Sequence, residues 1–364
     1  MSRLLGRRTP LRSAQDEAFA LVPALVHGCW RFQQTSGRAE SGAPDMKSFQ
    51  FKRTQRKYKS HYRIGNWAAY EAGLRQRGSV TIWITDDVKE AWCHRGRRKP
   101  GGKRIYSDTA IETFWALSMI YGLALRQTEG FIGSLFELAS ISLPVPDHTV
   151  VSRRVRKLGK VPMIPRSNKG PIHLLVDSSG LKIHVGNARK PPKRRAWRKI
   201  HIAVDRKTGD IIAVDLTASQ TTDASRVPAL LRQVENDLAS FTADGAYDKE
   251  LVYAAVQDHS AERRIRVFIP PRKDAVLERD SPTSRLDRNQ HIRKIDRVGR
   301  REWHLSSGYT KRSRVENVVY RYKATFGHEM TARTLAGQRC EARIGCKILN
   351  KMASLGMPES YRAA

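Results

Sequence analysis

The sequence predicts an α/β protein in which a mixed sheet follows a smaller, helical N-terminal region. Apolar segments of strand length succeed one another between residues 172 and 216, and strand and helix patterns alternate from there to residue 353. Residues 107–159 carry a helical period instead. Consecutive strands that give way to alternating strands and helices are typical of a mixed α/β sheet.

Residues 1–45 are set apart as a leader. Arginines precede an apolar run from Ala18 to Val26, which Pro23 interrupts, and this arrangement imitates a secretory signal peptide. No small-residue cleavage site follows, and a chain with a net charge of +32 is a poor export substrate. We therefore favour a start assigned too far upstream, with Met46 as the first functional residue.

Residues 46–160 are predicted to form an N-terminal DNA-binding region. A short strand is expected at residues 80–85, and Ser107 and Asp147 are suitable caps for the first and third helices that follow. The third helix has an apolar arc and an opposite basic arc, which suits a helix-turn-helix-like recognition element. Its outward cations are Arg153, Arg156 and Lys157. A small bundle with a solvated basic face explains the same pattern.

Residues 165–357 carry the strand and helix patterns of the mixed sheet. Asp177 and Asp244 each end a predicted strand, and a glycine follows each of them within three residues. Acidic residues at strand ends lie on one rim of a sheet, where α/β proteins place their active sites. Two neighbouring carboxylates repel each other unless a cation lies between them, and Mg²⁺ prefers such oxygen ligands.

A third carboxylate is available on a helix predicted over residues 309–327. At helical spacing Arg312, Glu316 and Lys323 fall on one face, with Tyr309 on the same side. Arginine binds phosphate through two hydrogen bonds, and lysine supplies a point charge. Two divalent ions held by carboxylates can activate the attacking oxygen and stabilise the leaving oxygen of a phosphodiester. An ordinary ion pair between Arg312 and Glu316 is the plain alternative.

The charge balance indicates a polyanionic partner. Lysine and arginine total 67 against 35 aspartates and glutamates, and the cations are spread along the chain rather than gathered in a tail. The stretch from Lys182 to Lys199 contains no acid, so we expect it to contact the DNA backbone unless it is a solvated loop. The expected contacts are Arg194, Arg195, Arg198 and Lys199. Trp197 is expected in the core.

Several classes of protein are excluded or disfavoured. No apolar run is long enough to span a bilayer. The four cysteines are too few for a disulfide scaffold and contain no C-x-x-C pair, which makes a zinc ribbon unexpected. Cys340 and Cys346 instead indicate small core residues on different faces of a helix. Among the other acids, Asp205 is expected in a turn, and Asp223 and Asp248 as helix caps.

Four residues of the predicted site occur at the spacing of a known signature. They are Tyr309, Arg312, Glu316 and Lys323, and they resemble the Y-R-E-K signature of bacterial insertion-sequence transposases. Residues 176–183 and 243–248 resemble the family's blocks around its two catalytic aspartates, and residues 198–205 resemble the strand after the first. Residues 66–74 and 147–154 resemble N-terminal blocks of the IS-five group.

The resemblance implies an RNase H-like fold with a D-D-E triad of Asp177, Asp244 and Glu316. The triad would bind two Mg²⁺ ions, for which Mn²⁺ can substitute. The protein would bind the terminal inverted repeats of its element, cut donor strands with water, and join the exposed 3′ hydroxyl to target DNA. Tyr309, Arg312 and Lys323 would grip DNA near the transposon end. A homo-oligomer assembled on DNA, in the cytoplasm at the bacterial nucleoid, is expected.

Two other functions fit parts of these patterns. A repressor that acts through residues 46–160 without turnover fits the charge and the helix-turn-helix-like segment, although the intact triad argues against it. A metal-dependent nuclease that cuts but does not join fits the carboxylates alone. The full Y-R-E-K spacing favours the transposase.

Overall fold

The computed structural model describes residues 62–96, 104–158, 170–183, 197–260, 263–277 and 286–363. The chain divides into two compact units, one made of residues 1–65 and 360–364 and the other of residues 66–359. In the small unit, β1 (Tyr62–Ile64) pairs antiparallel with a C-terminal strand, Ser360–Arg362. The predicted leader lies outside the described residues. The predicted boundary near residues 160–165 falls inside the larger unit and stays a prediction.

The described part of the larger unit begins with helices. They are α1 (Trp67–Arg77), α2 (Asp86–Glu90), α3 (Asp108–Tyr121), α4 (Leu125–Leu138) and α5 (His148–Arg154). Two predicted caps are confirmed, because the Ser107 side chain accepts a hydrogen bond from the amide of Ala110 and the Asp147 carboxylate accepts one from that of Thr149. The strand predicted at residues 80–85 is wrong. Val80–Ile82 is a 3₁₀ turn, since its apolar side chains pack among the helices rather than against another strand.

The mixed sheet follows. Its strands are β2 (Ile172–Ile183), β3 (Trp197–Asp205), β4 (Ile211–Ala218), β5 (Leu238–Thr242), β6 (Arg266–Phe268) and β7 (Glu329–Met330). They are arranged β4-β3-β2-β5-β6, and β7 also pairs with β2. The β4-β3 and β3-β2 pairs are antiparallel, whereas β5 and β7 run parallel to β2, and β6 parallel to β5. The predicted mixed α/β fold is confirmed.

Helices cover both faces of this sheet. They are α6 (Val227–Leu231), α7 (Glu250–Asp258), α8 (Leu286–Val298), α9 (Arg300–Ser306), α10 (Ser313–Phe326) and α11 (Leu335–Ser354). Along β2, Leu174 and Val176 pack with α6 and α7, whereas Leu175 and Leu181 pack with α10 and α11. Because successive side chains of a strand point to opposite faces, the odd-numbered residues of β2 face α10.

The last long helix, α11, joins the core of the N-terminal helices to the core on one face of the sheet. Ala342 and Cys346 pack against the sheet, whereas Cys340 and Ile344 pack against the N-terminal helices. Both cysteines are fully buried, which confirms their prediction as small core residues on different faces. Burial raises the pKa of the Cys340 thiol to about 12, so this thiol stays protonated.

Two predicted boundaries near the site are wrong. Separate strands were expected on either side of residues 178–180, but β2 is continuous because β3 pairs with it from Leu174 to Lys182. The helix predicted over residues 309–327 starts as a 3₁₀ turn, Tyr309–Arg312, before α10 begins.

Candidate active site

The register of the sheet brings Asp177 and Asp244 to the same level. In the parallel pair, Leu175 of β2 lies opposite Thr242 of β5, and each aspartate comes two residues later. By then β5 has ended, whereas β7 joins β2 only at Lys182. Within the described residues, this stretch of the β2 edge therefore has no strand beside it, and the two carboxylates share the gap. Asp244 follows its strand by two residues, close to the predicted strand end, whereas Asp177 lies in mid-strand instead of ending its strand.

Arg312 links the first predicted carboxylate to the third. Its Nη1 donates a hydrogen bond to Asp177 Oδ2 at 3.0 Å, and its Nη2 donates to Glu316 Oε1. The side chain of Asp177 is 16% exposed and that of Glu316 is 52% exposed. The plain ion pair within the helix exists, but the same guanidinium also reaches across to the sheet. Three elements thus meet at one cation.

The electrostatics of the site reflect crowded negative charge. Burial raises the pKa of Asp177, the charges of Asp244 and Glu316 raise it further, and Arg312 opposes them without reversing the direction. Burial alone lowers the pKa of Arg312, yet the surrounding Tyr309 and carboxylates raise it overall. The arginine therefore stays charged and partly neutralises the acidic group.

A buried hydroxyl beside the carboxylates suits a hydrated cation. Tyr247 is 1% exposed, and its hydroxyl makes no hydrogen bond of normal geometry among the described residues, although the side chain of Ser178 lies close to it. Burial raises its pKa, and the nearby charges of Asp223, Asp177 and Asp244 raise it further. A buried hydroxyl without a partner is costly, and a water bound to a metal ion can supply the missing bond. Hard carboxylate oxygens next to it are the donors that Mg²⁺ takes.

The other residues of the four-residue motif gather on the same face. Lys323 Nζ donates a hydrogen bond to the hydroxyl of Ser179 at 2.7 Å, and Ser179 is two residues beyond Asp177 on β2. The guanidinium of Arg312 lies 5.9 Å from the centre of the Tyr309 ring. All four motif residues therefore surround the gap.

The Tyr309 ring packs on the ring of Trp303, which packs in turn on that of His291, and the sequence predicted neither as part of the site. We call these three rings the ring chain. The Tyr309 ring lies 5.5 Å from that of buried Trp303, and Trp303 Nε1 donates a hydrogen bond to His291 Nδ1 at 3.2 Å. His291 Nε2 lies 2.7 Å from the carbonyl oxygen of Val267 in β6. Because Nδ1 accepts from Trp303, the ring proton lies on Nε2, which donates to the Val267 carbonyl, and burial lowers the pKa of His291 in favour of this neutral form. Residues 270–300 offered no pattern from which this support could be predicted.

Comparison with protein families decides the identity of the chain. A family model described as Transposase DDE domain matches residues 168–351, which is half of the chain. The chain belongs to the DDE transposase family. A second model with the same description matches residues 75–186. The protein is thus a DDE-type polynucleotidyl transferase, and enzymes of this family depend on divalent metal ions.

A solved structure, the cryo-EM structure of a piggyBac transposase synaptic complex with hairpin DNA, is also similar. It is 12% identical over 81% of this chain and 78% of that chain, with a TM-score of 0.32. A likeness at that TM-score carries no argument about this transposase. No helix in the described part of the chain is long and apolar enough to cross a membrane.

Three other acids of the transposase were assigned from sequence. Asp205 accepts hydrogen bonds from the amides of Lys207 and Thr208, which confirms the predicted turn. The side chains of Asp223 and Asp248 do not cap helices as predicted. Asp223 directly precedes the 3₁₀ turn Ala224–Arg226 but makes no capping hydrogen bond, and both carboxylates pair with cations instead. Asp223 pairs with Lys199 Nζ at 3.1 Å, and Asp248 pairs with Arg288 Nε at 3.1 Å.

The predicted DNA contacts lie in different settings. In and just after α5, Val151 and Val155 are buried while the cations opposite them are exposed, so the predicted two-faced segment is confirmed. Those cations are Arg153, Arg156 and Lys157. Arg198 Nε donates to the amide oxygen of Gln338 at 2.9 Å, and Lys199 is paired with Asp223 as described above. Arg194 and Arg195 lie outside the described residues. For all five described cations, DNA binding stays a prediction.

Trp197 corrects a further expectation, because it is 36% exposed instead of being in the core. Its ring lies against Gly180, where an added Cβ would come within 3.1 Å of a ring carbon. Lys182 Nζ lies 5.9 Å from the ring centre on the same side. The glycine therefore makes room for the ring on the surface of the strand.

A compact set of metal-type donors lies elsewhere in the transposase. Among the described residues, ligand atoms of Glu129, Asp147 and His148 lie within 4.8 Å of one another. Hydrogen bonds already occupy them: Glu129 Oε2 lies 2.7 Å from His148 Nδ1, Arg126 Nε donates to His148 Nε2 at 3.2 Å, and Asp147 caps α5. This cluster is a closed hydrogen-bond network, whereas the three predicted catalytic carboxylates are held apart around Arg312.

Proposed function

We propose that the protein is the transposase of a bacterial insertion sequence of the IS-five group. It binds the terminal inverted repeats of its element and catalyses metal-dependent strand cleavage and strand transfer at Asp177, Asp244 and Glu316. The observation that carries the proposal is the convergence on one gap in the sheet: the parallel register aligns the two aspartates, and Arg312 ties Asp177 to Glu316. A mixed sheet with helices on both faces is consistent with an RNase H-like catalytic domain.

The three carboxylates would hold two Mg²⁺ ions, and Mn²⁺ can replace them. When bound, the ions activate the attacking oxygen and stabilise the leaving oxygen of the phosphodiester. Around them, Arg312 offers guanidinium N–H groups that suit a phosphate, and Ser179 holds the Lys323 ammonium beside the same gap. Tyr309, braced by Trp303, keeps the Arg312 head group oriented.

The partner that we propose is DNA, both the transposon ends and the target. A net charge of +32 favours binding to a polyanion, and the exposed cations at the end of the α5 segment offer a surface for the ends. We also propose that the transposase acts as a homo-oligomer on DNA, at the bacterial nucleoid.

Cleavage and joining by the full chain test the proposal. The substrate is a labelled duplex that carries the inverted repeat, with a supercoiled target and either Mg²⁺ or EDTA. We expect metal-dependent 3′-hydroxyl nicks and joined product, both lost in Glu316→Gln and kept in the matched control Glu137→Gln, which alters an exposed glutamate of α4. Nicking without joining would favour the nuclease, and binding without chemistry in any metal would favour the repressor.

A further inference from the structure

Five exposed or half-exposed cations gather near the start of β2, on the face that carries Asp177. Arg206 and Lys207 lie in the turn between β3 and β4, Arg266 lies in β6, Lys311 lies in the 3₁₀ turn, and Arg314 lies in α10. We call these five residues the basic shelf. None of them belongs to the carboxylate site or to the four-residue motif.

Backbone geometry places two shelf cations, Arg206 and Arg266, in one row across the sheet, and Lys311 lies close enough for its charge to lower the pKa of His173 in that row. The amide of Arg206 donates to the carbonyl oxygen of His173 at 2.8 Å, and His173 pairs in register with Ser240, which pairs with Arg266. The side chains of His173 and Ser240 also meet, at 2.7 Å. Residues in register on neighbouring strands point to the same face. His173 and Asp177 are both odd-numbered residues of β2, so the row lies on the active-site face.

Arg314 fastens α10 to this row. Its Nη1 donates hydrogen bonds to the carbonyl oxygens of Arg206 and Lys207, the latter at 3.1 Å. The helix that carries Glu316 is therefore held against the turn that carries two shelf cations. Four residues of β2 separate His173 from Asp177, which is about 13 Å at ~3.3 Å per residue. That distance corresponds to about four base pairs of duplex DNA at ~3.4 Å each.

The shelf carries positive charge without acidic partners. Within the described residues, no carboxylate forms a salt bridge with any of the five, whereas Arg154, Arg226 and Arg264 each pair with an aspartate. The neighbouring acid Asp205 is buried, and its carboxylate accepts hydrogen bonds within its own turn. Burial lowers the pKa of Arg206, the neighbouring charges of Arg266 and Arg314 lower it further, and Asp205 opposes them without reversing the direction. Such mutual repulsion is relieved when a polyanion binds.

We propose that the basic shelf binds the phosphate backbone of duplex DNA next to the phosphodiester that reacts at Asp177. The inference rests on the proposed function for the identity of the DNA. The five shelf side chains include no aromatic ring for stacking on a base, and all five are cations that suit phosphate oxygens. Phosphate contacts position a duplex without reading it, so binding at the shelf is independent of sequence. This separates the shelf from the exposed cations of the α5 segment, which we expect to bind the transposon ends.

The test measures the salt dependence of DNA binding by the full chain. A fluorescein-labelled duplex of random sequence is titrated by anisotropy at several salt concentrations. The shelf variant combines Arg206→Ala, Lys207→Ala, Arg266→Ala and Lys311→Ala, and it keeps Arg314 because that residue braces α10. The control variant removes four exposed cations outside the shelf: Arg232→Ala, Arg293→Ala, Arg297→Ala and Lys351→Ala. Both variants carry the same net charge.

Each lost phosphate contact reduces the magnitude of the negative slope of log K against log salt by about 0.9. The slopes below are given as magnitudes. We expect the shelf variant to lose about 3 to 4 in slope and the control variant to lose less than about 1. Equal slopes in the two variants would overturn the proposal. If the fourfold variant does not fold, Arg266→Ala and Lys311→Ala are measured singly, each with an expected loss of about 0.9, and unchanged slopes in both would again overturn it.

Failure of the shelf and failure of the proposed function give different results. If wild-type protein cleaves and joins DNA while the shelf and control variants have equal slopes, the shelf proposal alone is wrong. If wild-type protein performs no metal-dependent chemistry but the shelf variant loses slope, the shelf remains a DNA-binding surface and the proposed function is wrong.

Discussion

Two groups of cations lie on one face of the same sheet, and the chain treats them differently. Arg312 and Lys323 donate hydrogen bonds to the chain's own oxygens, on Asp177, Glu316 and Ser179. The basic shelf has no acidic partner in the described part of the chain. Arg312 and Lys323 are therefore oriented around the carboxylates before any ligand arrives, whereas the shelf cations other than Arg314 have no side-chain partner in the described part of the chain and are available to a polyanion. The comparison therefore separates cations placed at the reacting phosphate from cations that hold the DNA beside it.

The largest expected effect is the loss of chemistry in Asp244→Asn. The asparagine oxygen can still accept the hydrogen bond that Asp244 takes from the amide of Ala246, so the turn survives. The charge that favours a metal ion is lost, and several kcal/mol of transition-state stabilisation corresponds to about a thousandfold in single-turnover cleavage.

DNA affinity should change little in that variant, because no cation is removed. A shelf variant should show the opposite pattern, with weaker binding but near-normal cleavage at saturating DNA. If Asp244→Asn and the shelf variant lost cleavage equally at saturating DNA, the shelf would be part of the catalytic site rather than a separate DNA-binding surface.

The next effect concerns Arg312→Gln, which leaves Asp177 and Glu316 without their shared cation. Their repulsion, together with the charge of Asp244, should lower the melting temperature in EDTA by a few degrees, roughly the effect of 1 kcal/mol in a chain of this size. Added Mg²⁺ should raise it more than in wild type, since the ion replaces the lost charge. Thermal melts with and without Mg²⁺ measure this, and an equal metal increment in both proteins would show that Arg312 does not neutralise the carboxylates.

A smaller effect concerns His291 of the ring chain, whose protonation makes the stability of the fold depend on pH. The pKa of His291 in the folded protein lies below its ordinary value of 6.5, so the unfolded chain binds this proton first as pH falls. His291 therefore contributes stability that is full above about pH 6.5 and is lost as pH falls from there through the lowered value.

Urea unfolding at pH 8 and pH 5 measures this for wild type and for His291→Gln. Because other histidines titrate in both proteins, the informative quantity is the difference between the two pH dependences. We expect wild type to lose more stability than the variant between the two pH values. An identical loss in the two proteins would show that His291 does not contribute to the pH dependence of stability.

The smallest effect is a single predicted end contact. Arg153→Ala removes an exposed cation from α5 and should lower the salt slope for inverted-repeat DNA by about 0.9. The matched control is Arg232→Ala, another exposed arginine, which should leave the slope unchanged. An unchanged slope in Arg153→Ala would move the end contact to another surface.

Much of the site could be predicted from local sequence. The mixed sheet followed from strand-length apolar segments. Asp177 and Asp244 were expected on one rim of the sheet from their predicted strand ends, and the resemblance to the Y-R-E-K signature joined Glu316 to them. The caps at Ser107 and Asp147 also depend only on neighbouring residues, which is why they were predicted correctly.

What could not be predicted depends on pairing between distant segments. Asp177 lies in mid-strand because β3 pairs along β2 beyond it, and no local pattern reports such pairing. Asp223 and Asp248 were predicted as caps, but their carboxylates form ion pairs with Lys199 and Arg288, respectively, which are distant in sequence. The shelf and the ring chain exist only once the register and the packing of α8, α9 and α10 are known.

The proposal that Asp177, Asp244 and Glu316 hold the divalent ions is tested most directly by locating the metal-binding site. Mn²⁺ titration followed by electron paramagnetic resonance, without DNA, compares wild type with Asp177→Asn, Asp244→Asn and Glu316→Gln. Glu129→Gln serves as the contrast, since it alters the compact donor cluster elsewhere. We expect Mn²⁺ affinity to fall at least about tenfold in each of the first three variants, the equivalent of 1.4 kcal/mol, and to be unchanged in Glu129→Gln. Unchanged affinity in the three, with a loss in Glu129→Gln, would contradict the account.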